Sequence, residues 1–263
     1  FKNGGFPEYL KELNLEYIKS LYDNILYRDI LVRYNLASEK SLKDLVYLAI
    51  NNISKEISFN SIKKTLGLGS STTVKDYFSY LENSFLIFLV PRFDYSLRKQ
   101  MYYNKKIYCI DNALAKYLGF RITSDNGKLL ENIVFVELKR RQKEIYYYTN
   151  KRECDFVIKE PASGVNQVIQ VCFELNEENK KREFEGLMEA MRFFKLKEGL
   201  ILTYDEEEEI NEDGVKISVK PVWKWLLESD EKTENNGFKD CFGIISKKKQ
   251  KNLEKKQAKQ EKK

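Results

Sequence analysis

Two neighbouring apolar segments, "ECDFVI" at 153–158 and "QVIQVCF" at 167–173, hold the residues of this chain that could do chemistry. Side chains two apart on a strand share a face. Gln170, Cys172 and Glu174 therefore point one way, and Val171 and Phe173 the other. On the preceding segment Asp155 and Val157 share a face, while Cys154, Phe156 and Ile158 take the opposite one. A carboxylate inside a buried sheet is costly unless it is paired, hydrogen-bonded or bound to a metal. An Asp at the mouth of one strand beside a polar pair on its neighbour is a geometry that holds a divalent cation against a phosphodiester. Glu131, on a helix entering the sheet, would supply a further oxygen.

Composition removes most other chemistries. The chain has no His, which excludes Ser-His-Asp and Cys-His mechanisms and most catalytic zinc sites. Its four Cys (Cys109, Cys154, Cys172, Cys241) form no CxxC pair and read as free thiols of a reducing cytoplasm. Nine Lys and two Glu in residues 247–263 give that stretch +7, so the net charge of +6 leaves the remainder at about −1. Affinity for nucleic acid must then come from local patches or from that stretch. No run of 18 apolar residues is present, so no membrane partner is expected. The start, "FKNGGFPEYL", has neither an initiator Met nor a signal pattern and reads as a chain cut from a longer one.

The elements that must position these residues follow from periodicity. In "LEYIKSLYDNILYRDILVRYNL", Ile18, Leu21, Tyr22, Ile25, Leu26, Ile30 and Leu31 form one helical stripe. "SLKDLVYLAINNI", "SFNSIKKTL" and "SSTTVKDYFSYLENS" are three further helices. Ser58 caps the second of these, and Ser70 or Ser71 the third, with Val74, Phe78 and Leu81 inward. "FLIFLV" and "IYCI" enclose the basic stretch "PRFDYSLRKQMYYNKK". Three helices and then a β-hairpin with a basic turn is the order of a winged helix-turn-helix. From 127 to 225 the pattern becomes α-β-β-β-α-β. It runs from the helix "GKLLENIVFVELKRR" through "EIYYYT", "ECDFVI" and "QVIQVCF" to a helix with Phe184, Leu187, Met188 and Met191 inside. "GLILTY" follows, with "VKISVKPV" as an edge strand. The acidic run at 205–214 reads as a solvated turn. The fold class expected is mixed α/β.

This order, with Glu131 on the first helix, Asp155 on the second strand and Gln170-Val171-Cys172 on the third, resembles the PD-(D/E)XK nuclease superfamily. The ordered series "GGFPEYL", "LYRDI", "STTVKDYFSYLENS", "KIYCIDNAL", "GKLLENIVFVEL", "ECDFVI", "IQVCFEL", "REFEGLMEA" and "PVWKWLL" is similar to the C-terminal half of a prokaryotic, largely archaeal, AAA-type ATPase family. In that family a P-loop domain precedes a winged helix and a restriction-endonuclease-like domain. No GxxxxGK[ST] occurs in this chain, so the resemblance places ATP in a domain outside it.

The resemblance implies a helical lead-in at 1–36, a winged helix at 37–110, a nuclease-like domain at 111–228 and a low-complexity Lys-rich tail at 229–263. It implies Glu131 and Asp155 as Mg²⁺ ligands, with Gln170 as the third site residue. Gln170 stands where a carboxylate is expected, and Cys172 where the catalytic Lys is expected; Lys139 or Lys151 would be a migrated substitute. Thr73, Lys75, Arg98 and Lys99 are the nucleic-acid candidates, with Arg92, Lys105 and Lys106 adding charge to the hairpin turn. The expectation is a cytoplasmic, DNA-associated or regulatory module that works with its own N-terminal ATPase domain, compatible with a homo-oligomer, its nuclease site degenerate. A Mg²⁺-dependent DNA endonuclease and a protein-interaction scaffold without nucleic acid are the alternatives.

Overall fold

Apolar spacing at three and four residues builds the first half of the fold. In this computed structural model, which describes residues 2–36, 38–119, 125–212 and 214–228, the chain opens with α1 (Pro7–Glu12) and α2 (Leu15–Asn24). A π-helical segment, Ile25–Val32, continues α2 in place of a regular helix. Its wider turn sets Leu26, Ile30 and Leu31, four and five residues apart, on the buried side. Then come α3 (Glu39–Asn51), β1 (Glu56–Ile57), α4 (Phe59–Thr65) and α5 (Ser71–Asn83). The Ser70 hydroxyl accepts from the Thr72 N–H at 3.0 Å and caps α5. Ser58 precedes α4 without a side-chain capping bond.

The hairpin follows as β2 (Ile87–Pro91) and β3 (Lys105–Cys109), antiparallel, with β1 on the far side of β3. The stretch between the strands holds a short helix, α6 (Leu97–Tyr102), rather than a simple turn. One hydrophobic cluster runs from Ile18 to Leu129. It takes in Ala113, Leu114 and Ala115 of α7 (Asn112–Leu118), so α7 packs with the helical half rather than with the sheet that follows.

The second half is built on α8 (Asn126–Arg140), β4 (Glu144–Thr149), β5 (Glu153–Glu160), β6 (Gly164–Val171), α9 (Lys180–Phe194), β7 (Glu198–Thr203), β8 (Glu208–Glu212), β9 (Val215–Pro221) and α10 (Val222–Leu227). The six strands lie in the order β4-β5-β6-β7-β9-β8. The β6–β7 and β7–β9 pairs are parallel and the rest antiparallel. The fold is mixed α/β.

Two sequence readings are corrected here. The acidic run is not a turn: Glu208–Glu212 pairs antiparallel with β9, with Ile210 opposite Ile217. An alternating residue that can point inward is enough to convert a charged loop into an outer strand. As a result β9 lies between β7 and β8, not at the edge.

The two sheets are joined. The Phe93 N–H, just past β2, donates to the Tyr147 carbonyl of β4 at 2.8 Å, and the Tyr147 hydroxyl donates to the Asn104 carbonyl at 2.9 Å. The Phe93 ring packs edge-on against Tyr146 and Phe194, at 5.4 and 4.9 Å between centroids. Residues 1–225 form one compact unit. The Lys-rich stretch 229–263, and Cys241 with it, lies outside the described residues.

Candidate functional site

Alternation along β3 decides the site. Ile107 and Cys109 face the helical cluster. Lys106 and Tyr108, two apart, therefore share the opposite face, toward α8 and β5. Lys106 is only 1% exposed. Its ammonium lies 2.8 Å from Asp155 Oδ1 and 2.6 Å from Glu153 Oε1, both on β5, and 3.2 Å from Glu131 Oε1 on α8. Glu131 Oε1 also accepts from the Tyr108 hydroxyl at 2.6 Å. The Tyr108 ring stacks on Phe135 of α8 at 4.4 Å.

Asp155 is fixed from two sides. Asp155 Oδ2 accepts the Val171 N–H at 2.9 Å, which ties it to β6. On α8 beside Glu131, the buried Asn132 amide accepts the Cys109 N–H at 2.8 Å and donates to the Cys109 carbonyl at 2.9 Å. The helix thereby grips β3 through backbone and charge together.

Burial sets the electrostatics. Desolvation, together with the nearby Asp155, pushes the Glu131 carboxyl up to about 8, against the pull of Lys106 and Tyr108. Burial acts to lower Lys106, but Asp155 and Glu131 outweigh it and hold the ammonium well above its ordinary value. Glu153 is raised by burial, with Lys106 opposing. Near neutrality the cluster is a charged Lys106 facing Asp155 and Glu153, with a protonated Glu131 beside them.

Asp155, Glu131 and Gln170 do come together, but not as a metal cage. The Gln170 carbonyl oxygen accepts the Asp155 N–H at 3.3 Å. Its amide donates to Glu183 Oε2 at 2.6 Å, and Glu183 in turn is held by Arg182 at 2.5 Å. The one neutral oxygen that Gln170 could offer a cation is thus turned into the sheet. The point where the three carboxylates converge holds the Lys106 ammonium. Among the described residues no group of three or more Cys, Asp or Glu side chains is arranged to hold a metal ion. In this arrangement the carboxylate oxygens are taken up by Lys106, the Tyr108 hydroxyl and the Val171 N–H.

Other predicted residues are placed as follows. Lys106 is not a charge of the hairpin surface: the pleat turns it inward. Lys139 lies over the Phe88 ring at 5.4 Å, beside the hairpin. Lys151 lines the cleft of about 690 Å³ onto which Glu131, Glu153, Asp155 and Gln170 open, together with Arg152 and Arg182. Cys172 lines it too, its thiol donating to the Glu174 carbonyl at 2.9 Å and pushed up to about 11, chiefly by burial. Lys75, Arg98 and Lys99 are exposed and Thr73 is half-buried, all outside this cleft. Sequence reasoning missed Glu153 and Tyr108, and it set Lys106 on the hairpin surface rather than in this cluster. The signal is a Lys and a Tyr two apart in an otherwise apolar strand, "KKIYC".

Comparison with known proteins matches each half to a family. Residues 2–126 match the family described as "Domain of unknown function (DUF8612)" and residues 126–225 the one described as "Domain of unknown function (DUF4143)". The chain is 35% identical over 246 residues to an uncharacterized protein of Methanocaldococcus jannaschii, covering 86% of this chain and 54% of the relative. It is 26% identical over 235 residues to an uncharacterized protein of Haemophilus influenzae, covering 86% of this chain and 56% of the relative. The chain thus spans about half the length of these curated relatives. No solved structure matches. Over residues 2–225, then, the chain is similar to two consecutive domains of unknown function, the second of a kind found at the C-terminus of AAA-ATPase-like proteins.

Proposed function

We propose that this chain is the DNA-associated regulatory module of an AAA-type ATP-binding protein, with a winged helix and a nuclease-like domain whose carboxylate site no longer cuts. ATP belongs, in this reading, to a domain outside the chain. The observation that carries it is the Lys106 ammonium within 3.2 Å of Glu131, Glu153 and Asp155. A tethered cation satisfies the carboxylates that would otherwise bind a divalent one. It also fastens the hairpin to the sheet. The role of Glu131 and Asp155 becomes mechanical: they hold the DNA-facing half in a fixed position relative to the C-terminal half. Arg98 and Lys99 on α6, with Lys75 on α5, are the exposed cations that would meet phosphates.

The test has two arms on the same protein. With plasmid DNA and Mg²⁺ or Mn²⁺, no nicking is expected. With a labelled duplex, binding is expected that weakens steeply as salt rises. Cleavage that Asp155→Ala abolishes would falsify the degenerate reading, and absence of duplex binding at low salt would favour a scaffold without nucleic acid.

A further inference from the structure

A second cleft, of about 950 Å³, opens on the other side of the Lys151–Arg152 turn, and the site above does not use it. Helix α9 packs on β5, β6 and β7, while β9 and β8 run on beyond it. The strip of sheet beside the helix is only partly open: Ile210 and Val215 are half-buried and Ile217 is buried. Ile210, Val215 and Ile217 of that strip form an apolar floor with Phe184 and Met188 of α9. Both α9 residues have the spacing of core positions, yet they are only half-buried.

The rim is cationic. Lys151, Arg152, Lys180, Lys181 and Arg192 line the cleft against two carboxylates, Glu185 and Glu189. Arg152 is held by Glu185 at 2.7 Å and Lys180 by Glu208 at 3.1 Å. No carboxylate among the described residues pairs with Lys151 or Arg192. Both are exposed. The wall is rigid: Glu189 accepts the backbone N–H groups of Lys151 and Arg152 at 3.1 and 2.9 Å. At Gly186, α9 approaches β5 so closely that a Cβ would stand 2.2 Å from the Glu153 carbonyl.

We propose that this cleft binds single-stranded nucleic acid, with phosphates on Lys151 and Arg192 and a base on the Phe184–Met188 floor. An apolar floor under unpaired cations matches a ligand that is anionic along one edge and flat and apolar on its face. In a duplex the base faces are stacked out of reach, so the ligand is a single strand. The volume falls within the range of ordinary ligand sites. This site is separate from the exposed cations of α5 and α6, so it stands or falls independently of duplex binding there.

The experiment is fluorescence anisotropy of a labelled 12-nucleotide oligothymidylate at low salt, beside an abasic oligonucleotide of the same length. Wild-type protein is expected to bind the oligothymidylate at least tenfold more tightly than the abasic strand. Lys151→Glu with Arg192→Glu should weaken oligothymidylate binding tenfold or more. It should also flatten the log–log salt slope by about 1.4, at roughly 0.7 for each phosphate left without its cation. Thermal melting checks that the variant is folded. Lys11→Glu with Lys40→Glu, exposed cations outside both proposed surfaces, should leave oligothymidylate binding unchanged. Equal affinity for both strands, no effect of the Lys151 and Arg192 reversals, or competition by poly-glutamate as effective as by oligothymidylate would each overturn the proposal.

Discussion

Lys106 and Asp155 lie 49 residues apart in the chain and 2.8 Å apart in space, joining the hairpin of one half to the central sheet of the other. Both side chains are buried, Lys106 at 1% and Asp155 at 6% exposure. Removing either leaves the other with less charge compensation in a poorly solvated place.

Removing the cation should be severe. Lys106→Met leaves the buried Asp155 without its counter-charge and Glu131 without one of its two donors. Breaking a buried pair by deleting one partner costs about 3–5 kcal/mol. Urea denaturation should show this loss. Combining Lys106→Met with Asp155→Asn should recover part of it, since the uncompensated charge goes with its partner.

Stability should depend on pH through Glu131. Its carboxyl titrates at about 8 in the folded protein, against 4.5 unfolded. The folded state therefore binds more protons between those values, and stability falls as pH rises through that window. Lys106, raised above its ordinary 10.5, contributes stability that is lost only above that value. The groups facing Glu131 are Lys106 and Tyr108 from β3 and Asp155 from β5. Melting temperatures of wild type and Glu131→Gln, taken from pH 5 to 9, should converge toward low pH and diverge as pH rises, with the variant the flatter of the two.

Placing a carboxylate at position 170, where the proposed nuclease-like reading expects one, should not create a metal centre. Gln170→Glu sets a second carboxylate against Glu183, whose Oε2 accepts the Gln170 amide at 2.6 Å. Losing that donor in a buried place costs about 1–3 kcal/mol. Calorimetry should show the destabilisation, and titration with Mn²⁺ should show no gain in binding.

Packing of α9 offers a further check. Gly186→Ala forces the helix away from the Glu153 carbonyl, an overpacking that costs about 1–3 kcal/mol. Because Glu153 also holds Lys106, the loss should fall short of additive when combined with Glu153→Gln.

Duplex binding should be separable from all of this. Arg98→Glu with Lys99→Glu, on the exposed helix within the hairpin, should leave the melting temperature unchanged. It should reduce the salt slope of duplex binding by about 1.8, at roughly 0.9 for each phosphate no longer neutralised.

Hydrophobic period alone makes the strands and most helices legible in the sequence: "EIYYYT", "ECDFVI" and "GLILTY" lie where β4, β5 and β7 are. Asp155 and Gln170 are legible as polar residues on successive strands, and the family resemblance is what groups Glu131 with them. What period cannot give is long-range pairing. Lys106 reads as one more cation of a basic turn, and only the packing of β3 against β5 turns it into the counter-ion of Asp155. The Gln170 amide is likewise set by Glu183, a residue of α9 that reads only as part of an amphipathic helix. The edge strand β8 is hidden by charge, since its inward contact rests on Ile210 alone among acidic neighbours.

That acidic strand has a consequence for behaviour in a crowded solution. An open sheet offers two outer rows of backbone donors and acceptors to any other copy of the same protein. Here β4, one outer strand, meets the hairpin through Phe93, and β8, the other, carries Glu208 and Glu209 paired with Lys180 and Lys216. A second chain adding itself to β8 would have to strip water from those ion pairs. Both margins of the sheet are thereby guarded against growth into fibrils, one by a covering segment and the other by charge.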